Sequence, residues 1–278
     1  MVFIHGSKAL SFHEALSAKD AGSLRKIIRQ GAYGGQTSGL APGKLQANLV
    51  VIPRRFADDF LQFCKRNPKP LPLVGVSRSG VPLVPQLGDL DLRTDLPRYD
   101  VYRYGALVGR PTNISALWRD DFSAFAIGSS HTFDHALATR GIRLRPMGGY
   151  KALPMYRTII PVAPAGRFGG QCVVSMRAIR KADIDRVRAV TARFPQAHGA
   201  PVHVGDPGAI GISDLDRPCW GEPIELEADE IPAFWACGAT AHDALRRAQL
   251  DICIMQSPGH MLLTDIDDRA DIGPFKVY

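Results

Sequence analysis

The sequence predicts an α/β protein. A three-layer α/β core domain is expected from residues 1–140 and 197–278, with a smaller two-layer α+β subdomain at 141–196 placed as an insertion. Three observations carry this. Loop, strand, helix and strand patterns follow one another over residues 34–76. Strand, helix and strand recur over 234–255. Between them, two strand patterns (Met155 to Val162 and Gln171 to Ile179) precede a helical one, and the texture of the chain changes.

Taken in order, Ser11-Phe12-His13-Glu14 reads as a capping box, and Leu24, Ile27 and Ile28 give a helical face that Gly31 ends. Residues 34–48 hold four glycines, a proline and small hydroxyls, the composition of a loop. Such a loop can offer backbone N–H groups to an anion, and Lys44 adds a charge, but the lysine-hydroxyl ending of a P-loop is missing. Leu49-Val50-Val51-Ile52 is a short buried-type strand. Phe56, Phe60, Phe63 and Cys64 mark one face of a helix, and Leu71 to Val76 is a second strand. Residues 77–113 are rich in loops and proline, with a short hairpin expected between Tyr99 and Val108. Phe122 to His131 is small, apolar and punctuated by glycine. A helix follows from Phe133, and Ser129 and His131 could face a pocket.

Beyond the inserted unit, whose helix repeats Ile184, Val187, Val190 and Phe194, the stretch Phe194 to Pro207 is dense in chemistry-bearing side chains. It carries His198, His203 and Asp206 among glycines and prolines. Val202-His203-Val204 alternates like a strand, and Gly205-Asp206-Pro207 closes it in a turn. Turns at the carboxyl ends of strands are where α/β proteins usually hold ligands. Phe234 to Cys237 then reads as a strand, Thr240 as the cap of a helix to about Gln249, and Ile252 to Met255 as another strand. If those two strands are parallel, the helix is their crossover, and Cys237 and His260 meet at one sheet edge, joined by Asp206.

Composition narrows the classes. Hydrophobic residues make up 45% of the chain and charged residues 22%, as in ordinary globular proteins. No apolar run is long enough for a membrane span, and the first residues lack the pattern of a signal peptide, so a cytoplasmic protein without membrane contact is expected. Five scattered cysteines without a closely spaced pair argue against a disulfide framework and a cysteine-rich zinc site. The 34 basic residues outnumber the 27 acidic ones, a net charge of +7 that favours anionic partners. The arginines are dispersed and no nucleic-acid motif is present, which points to a small carboxylate or amino acid rather than nucleic acid. A homo-oligomer is compatible with this composition.

Several long runs resemble one protein family. They include Gly39-Leu40-Ala41-Pro42-Gly43 with Gln46-Ala47-Asn48-Leu49, Asn67-Pro68-Lys69-Pro70, Leu92-Arg93-Thr94-Asp95-Leu96-Pro97-Arg98-Tyr99 and Pro154-Met155-Tyr156-Arg157-Thr158. Val173-Val174-Ser175-Met176-Arg177, His198-Gly199-Ala200-Pro201-Val202-His203, Phe234-Trp235-Ala236-Cys237-Gly238 and Ser257-Pro258-Gly259-His260-Met261 continue the match over nearly the whole chain. The family is that of the "putative hydro-lyases", related to one half of the two-part D-glutamate cyclases, which dehydrate D-glutamate to 5-oxo-D-proline. The chain departs from the family pattern at Ser129, where a cysteine is usual.

The resemblance implies loss of water from a carboxylate. Such a reaction needs a cationic clamp, a base, and an acid for the departing oxygen. His203 or His260 is expected to supply the base or acid, with Asp206 orienting an imidazole. Arg157 and Arg177 are clamp candidates, and Lys44, Gln46, Asn48 and His198 are candidate substrate contacts. For each arginine taken singly, a surface or structural ion pair is the plainer reading. Cys237, beside a helix amino terminus, is a candidate nucleophile, although a buried inert thiol is the plainer reading. No cofactor is required, and a divalent metal on His198, His203, Asp206 and His260 is an alternative, though the spacing fits no compact zinc signature. Two other classes stay open: an accessory protein that binds an amino or oxo acid without turning it over, and a metal-assisted hydrolase of a cyclic amide.

Overall fold

The computed structural model describes residues 12–142, 144 and 152–271. Helices α1 (Phe12–Ser17) and α2 (Ala21–Arg29) open it, followed by β1 (Lys44–Pro53), α3 (Ala57–Arg66), β2 (Leu73–Val76), β3 (Tyr99–Arg103), β4 (Ala106–Gly109), β5 (Phe122–Gly128) and α4 (His131–Ala138). Then come β6 (Met155–Pro161), β7 (Gln171–Arg180), α5 (Ile184–Thr191), β8 (His203–Val204), β9 (Glu230–Ala236), α6 (Ala239–Ala248), β10 (Cys253–Gln256) and β11 (Leu262–Asp267). Ser11 of the expected capping box lies outside the described residues. The cap that is seen belongs to α2, where Asp20 accepts from the Ser23 N–H at 2.8 Å.

Helices and strands are mixed, and the strands form two sheets. The first runs β2-β5-β1-β10-β3-β4, with β11 also paired to β1; the second runs β6-β7-β9-β8. Every pairing is antiparallel. This overturns the expected parallel crossover: β9 pairs with β7 and β8 in one sheet, β10 with β1 and β3 in the other, and α6 passes between sheets. The local pattern of strand, helix and strand is the same in both arrangements, so only partner choice separates them. The second sheet draws β6 and β7 from the 141–196 segment and β8 and β9 from beyond it.

The inner faces of both sheets share one core. Val50 and Ile52 of β1, Phe125 of β5 and Met255 of β10 meet Val174 and Met176 of β7 and Phe234 of β9, with α3 and α6 wedged alongside. Phe60 of α3 packs edge-on against Phe125 at 4.9 Å and Phe168 at 5.1 Å. Such pairs add about 0.5–1.5 kcal/mol each beyond the area they bury. The far face of the first sheet is sealed by the loops around Leu87, Leu92 and Leu96; that of the second is sealed by α4 and α5 through Phe133 and Val187 against Trp235.

Strand β1 starts five residues before the expected Leu49, so Lys44 to Asn48 are strand and not loop. Its alternation was masked because Gln46 and Asn48 stand on the same face as Val50 and Ile52, where apolar residues are expected. That face looks between the sheets. The polar end of an otherwise apolar strand marks where the core opens into a cavity.

Candidate active site

Two connected chambers lie at this end. The inner one, about 40 Å³, is walled by Asn48 of β1, Ser129 and Ser130 after β5, Ser175 of β7, Cys237 after β9, His242 of α6 and Gln256 of β10, among others. The outer one, about 290 Å³, is lined by residues 38–44, Gln46, Asp134 and Arg177. His131 and Leu153 belong to both. The amino ends of α4 (Ser130, His131) and α6 (Gly238, Ala239) both open onto the inner chamber. Two positive helix ends at one cavity favour an anion.

The back wall is a closed amide network. Asn48 Nδ2 donates to the carbonyls of Ile127 and Gly128, and Asn48 Oδ1 accepts from Gln256 Nε2 at 2.6 Å. Gln256 Oε1 accepts from the Leu49 N–H at 2.8 Å. Position 238 must be glycine, because a Cβ there would lie 2.4 Å from Asn48 Nδ2. Asn48 is therefore fully committed and holds the wall together. His242, buried beside Gln256, is pushed down to about 4 by loss of solvent. His198 is also pushed down to about 4 by burial; its Nδ1 bonds the Lys69 carbonyl at 2.9 Å, and its backbone is left-handed, with φ 75°. Both rings are neutral near pH 7.

Unlike the back wall, the wall shared with the outer chamber is not fully satisfied. Arg177 Nε and Nη2 donate to Asp134 Oδ1 at 3.1 and 2.9 Å, and Nη2 also reaches Ser130 Oγ at 3.1 Å. The guanidinium lies over the rings of Phe133 and Trp235 at 4.9 and 5.2 Å. Its Nη1 is buried with no partner among the described residues. Asp134 Oδ2 meets His131 Nδ1 at 3.2 Å. Burial alone would raise the Asp134 carboxyl, but Arg177 and His131 hold it below its ordinary value. His131, Asp134 and Arg177 thus form a continuous chain, and its two ends reach the cavity.

The other expected residues fall in different places. Lys44 lines the outer chamber and donates to the Asp265 carbonyl at 3.1 Å. Cys237 lines the inner chamber, where burial pushes its thiol up even though it sits at the start of α6. Thr240, the expected cap of α6, instead bonds β7 by accepting from the Val173 N–H at 3.0 Å. His260 itself bonds the Pro258 carbonyl, and its neighbours Gly259 and Met261 line the inner chamber. Arg157 is engaged elsewhere, with Nε on Asp243 at 2.7 Å and its guanidinium over Trp220 at 4.8 Å. His203 and Asp206 line neither chamber. His203 Nε2 meets the Asp206 carbonyl oxygen at 2.6 Å, its ring stacks on Phe234, and the Asp206 carboxylate accepts from the Gly208 N–H. Among the described residues no three His, Cys, Asp or Glu side chains gather as a metal site, and the proposed set of His198, His203, Asp206 and His260 is not brought together. Asp134, Ser175, His242 and Gln256 were not singled out from the sequence. For Asp134 a signal existed: it follows His131 by three residues on a helix.

A family model described as D-glutamate cyclase matches residues 123–265. A relative named "Putative hydro-lyase" from Jannaschia sp. (strain CCS1) is 51% identical over 256 residues, spanning 92% of this chain and 96% of that protein. The chain belongs to this family. Its namesake in Dinoroseobacter shibae is 48% identical over 96% of this chain and 90% of that protein, and one in Verminephrobacter eiseniae is 47% identical over 97% and 98%. The family match runs from β5 into β11 and so takes in both helix amino ends, His131, Asp134, Ser175, Arg177 and Cys237. Gln46 and Asn48 on β1 precede it. Among the described residues no helix is long and apolar enough to cross a membrane.

Proposed function

We propose that the protein is a hydro-lyase that removes water from a small carboxylate, with cyclisation of D-glutamate to 5-oxo-D-proline the best candidate reaction. The observation that carries this is the hydrogen-bonded chain His131–Asp134–Arg177, ending in a buried guanidinium nitrogen without a partner among the described residues. Arg177 Nη1 is the clamp for a carboxylate in the outer chamber, assisted by Lys44 on the same lining.

His131 moves the protons. In the cyclisation the substrate nitrogen bonds its own distal carboxyl carbon, and a carbon–oxygen bond breaks. The two protons lost from the ammonium leave with that oxygen as water, so the base recovers its starting state. His131 lies where both chambers meet and can take a proton on one side and return it on the other. Asp134 holds the ring in place through Nδ1. Cys237, with its thiol pushed up by burial, is neutral near pH 7 and acts as wall, not nucleophile.

The test is to incubate the chain with D-glutamate and, separately, L-glutamate, and follow 5-oxoproline by proton NMR. Stereospecific product that disappears in His131→Gln supports the reading. Absence of product from a folded chain that still binds the acid favours the accessory-protein alternative.

A further inference from the structure

Gln46 on the wall of the outer chamber is not used by this chemistry. It is 3% exposed. Its Nε2 donates to the carbonyls of Thr37 at 3.1 Å and Leu40 at 3.0 Å, which uses both amide hydrogens. That fixes which end of the amide is which, since a flipped side chain would set its own oxygen against two carbonyls. Oε1 is left buried with no partner among the described residues. The backbone of Gln46 is held on both sides of the peptide: its N–H donates to Thr132 Oγ1 at 3.1 Å, and its carbonyl accepts from the Ser129 N–H at 2.9 Å. The backbone is thus locked to the amino end of α4, and the side chain to the loop at 37–40.

A buried acceptor without a partner is costly. Ser175 Oγ in the inner chamber is also unpartnered, but a hydroxyl can donate or accept and so selects nothing. A carbonyl oxygen can only accept. Gln46 shares the chamber lining with Arg177, whose spare Nη1 can only donate. The chamber lining therefore holds one residue with a spare obligate donor and one with a spare obligate acceptor.

We propose that Gln46 Oε1 is a specificity-determining acceptor, so that the site takes carboxylates bearing a hydroxyl or ammonium group and rejects acids without such a donor. This rests on the carboxylate-clamp reading of Arg177. The chemistry shared by a hydroxy acid and an amino acid is the N–H or O–H donor, and a series of related acids separates them.

The experiment is calorimetric titration of the full chain with D-glutamate, D-2-hydroxyglutarate and glutarate. At least one donor-bearing acid should bind about 10–100-fold more tightly than glutarate, the loss expected when a buried acceptor goes unpaired. Which of the two binds more tightly identifies the donor. Gln46→Met should reduce all three acids to the affinity of glutarate, whereas a merely structural role for Gln46 would weaken all three by the same factor. Glutarate binding as tightly as both others, or discrimination kept in Gln46→Met, overturns the proposal. Should that variant not fold, the wild-type series decides alone. If none of the three acids binds, the clamp reading fails and this inference with it; if all bind equally, the clamp stands and only the acceptor role fails.

Discussion

The pairing of histidine with aspartate in the 203–208 turn and the one at the start of α4 differ in what is left over. In the turn at 203–208, His203 bonds the Asp206 carbonyl and the Asp206 carboxylate bonds the Gly208 N–H. Those groups satisfy one another at the surface. At the mouth of the inter-sheet cavity, His131, Asp134 and Arg177 also bond one another, yet Arg177 Nη1 and, on the same chamber lining, Gln46 Oε1 stay buried and unpaired among the described residues. Buried polar groups are normally satisfied, so an unmet one on a residue that lines a cavity is a candidate ligand contact, whereas Arg25 Nε and Trp235 Nε1, also unmet, belong to residues that line neither chamber. A cluster of chemistry-bearing residues is therefore a weaker sign of a site than an unmet bond inside the fold.

The contrast can be broken most directly at the two histidines. His131→Gln should lower turnover by about 100- to 10,000-fold, the range for a lost general acid or base, while His203→Ala should leave it within about twofold. Equal losses in both would remove the distinction. Arg177→Met should come next: it removes the clamp and strips Asp134 of its main partner, costing about 2–5 kcal/mol in binding. The melting temperature should fall as well, and titration with glutarate alongside a melting curve checks both.

Acid sharpens the comparison through the cavity's neutral rings. His198 and His242 are held near 4 by burial, against an ordinary value of 6.5. As pH falls, the unfolded chain therefore takes up protons before the folded one. Stability is complete above 6.5 and drains between 6.5 and 4, by up to about 3 kcal/mol per ring. Asp134, held below its ordinary 3.8, adds its loss only beneath that window. Urea midpoints from pH 7.5 to 4.5 should show the slope, and His242→Asn should flatten part of it. The smallest effect is expected at Asp206→Ala, which loses one exposed turn bond, costs about 0.5–1 kcal/mol and leaves turnover unchanged.

Much was legible in the sequence. Hydrophobic periodicity and turn residues located most helices and strands, because those signals are local. The runs around Gln46, Ser175 to Arg177, Cys237 and Ser257 to Met261 were already marked as family-like, and the structure places them around one cavity. Their partners were not legible. Asn48 is a wall residue because Gln256, 208 residues away, supplies its bond; Arg177 meets Asp134 across 43 residues. Nothing local distinguishes Arg157, tied to Asp243, from Arg177, which keeps a free donor.

What the sequence determined by itself was most of the elements, though not β5 or β11 as strands, together with the mixed helix-and-strand class and the family, since periodicity, capping and motif runs are properties of neighbouring residues. What only the tertiary structure decided was the pairing of those elements. Whether β9 and β10 share a sheet depends on hydrogen bonds between distant strands, and whether a polar atom is satisfied depends on what is folded against it. The site consists of those long-range satisfactions and their exceptions, and so it appears only once the two sheets are packed.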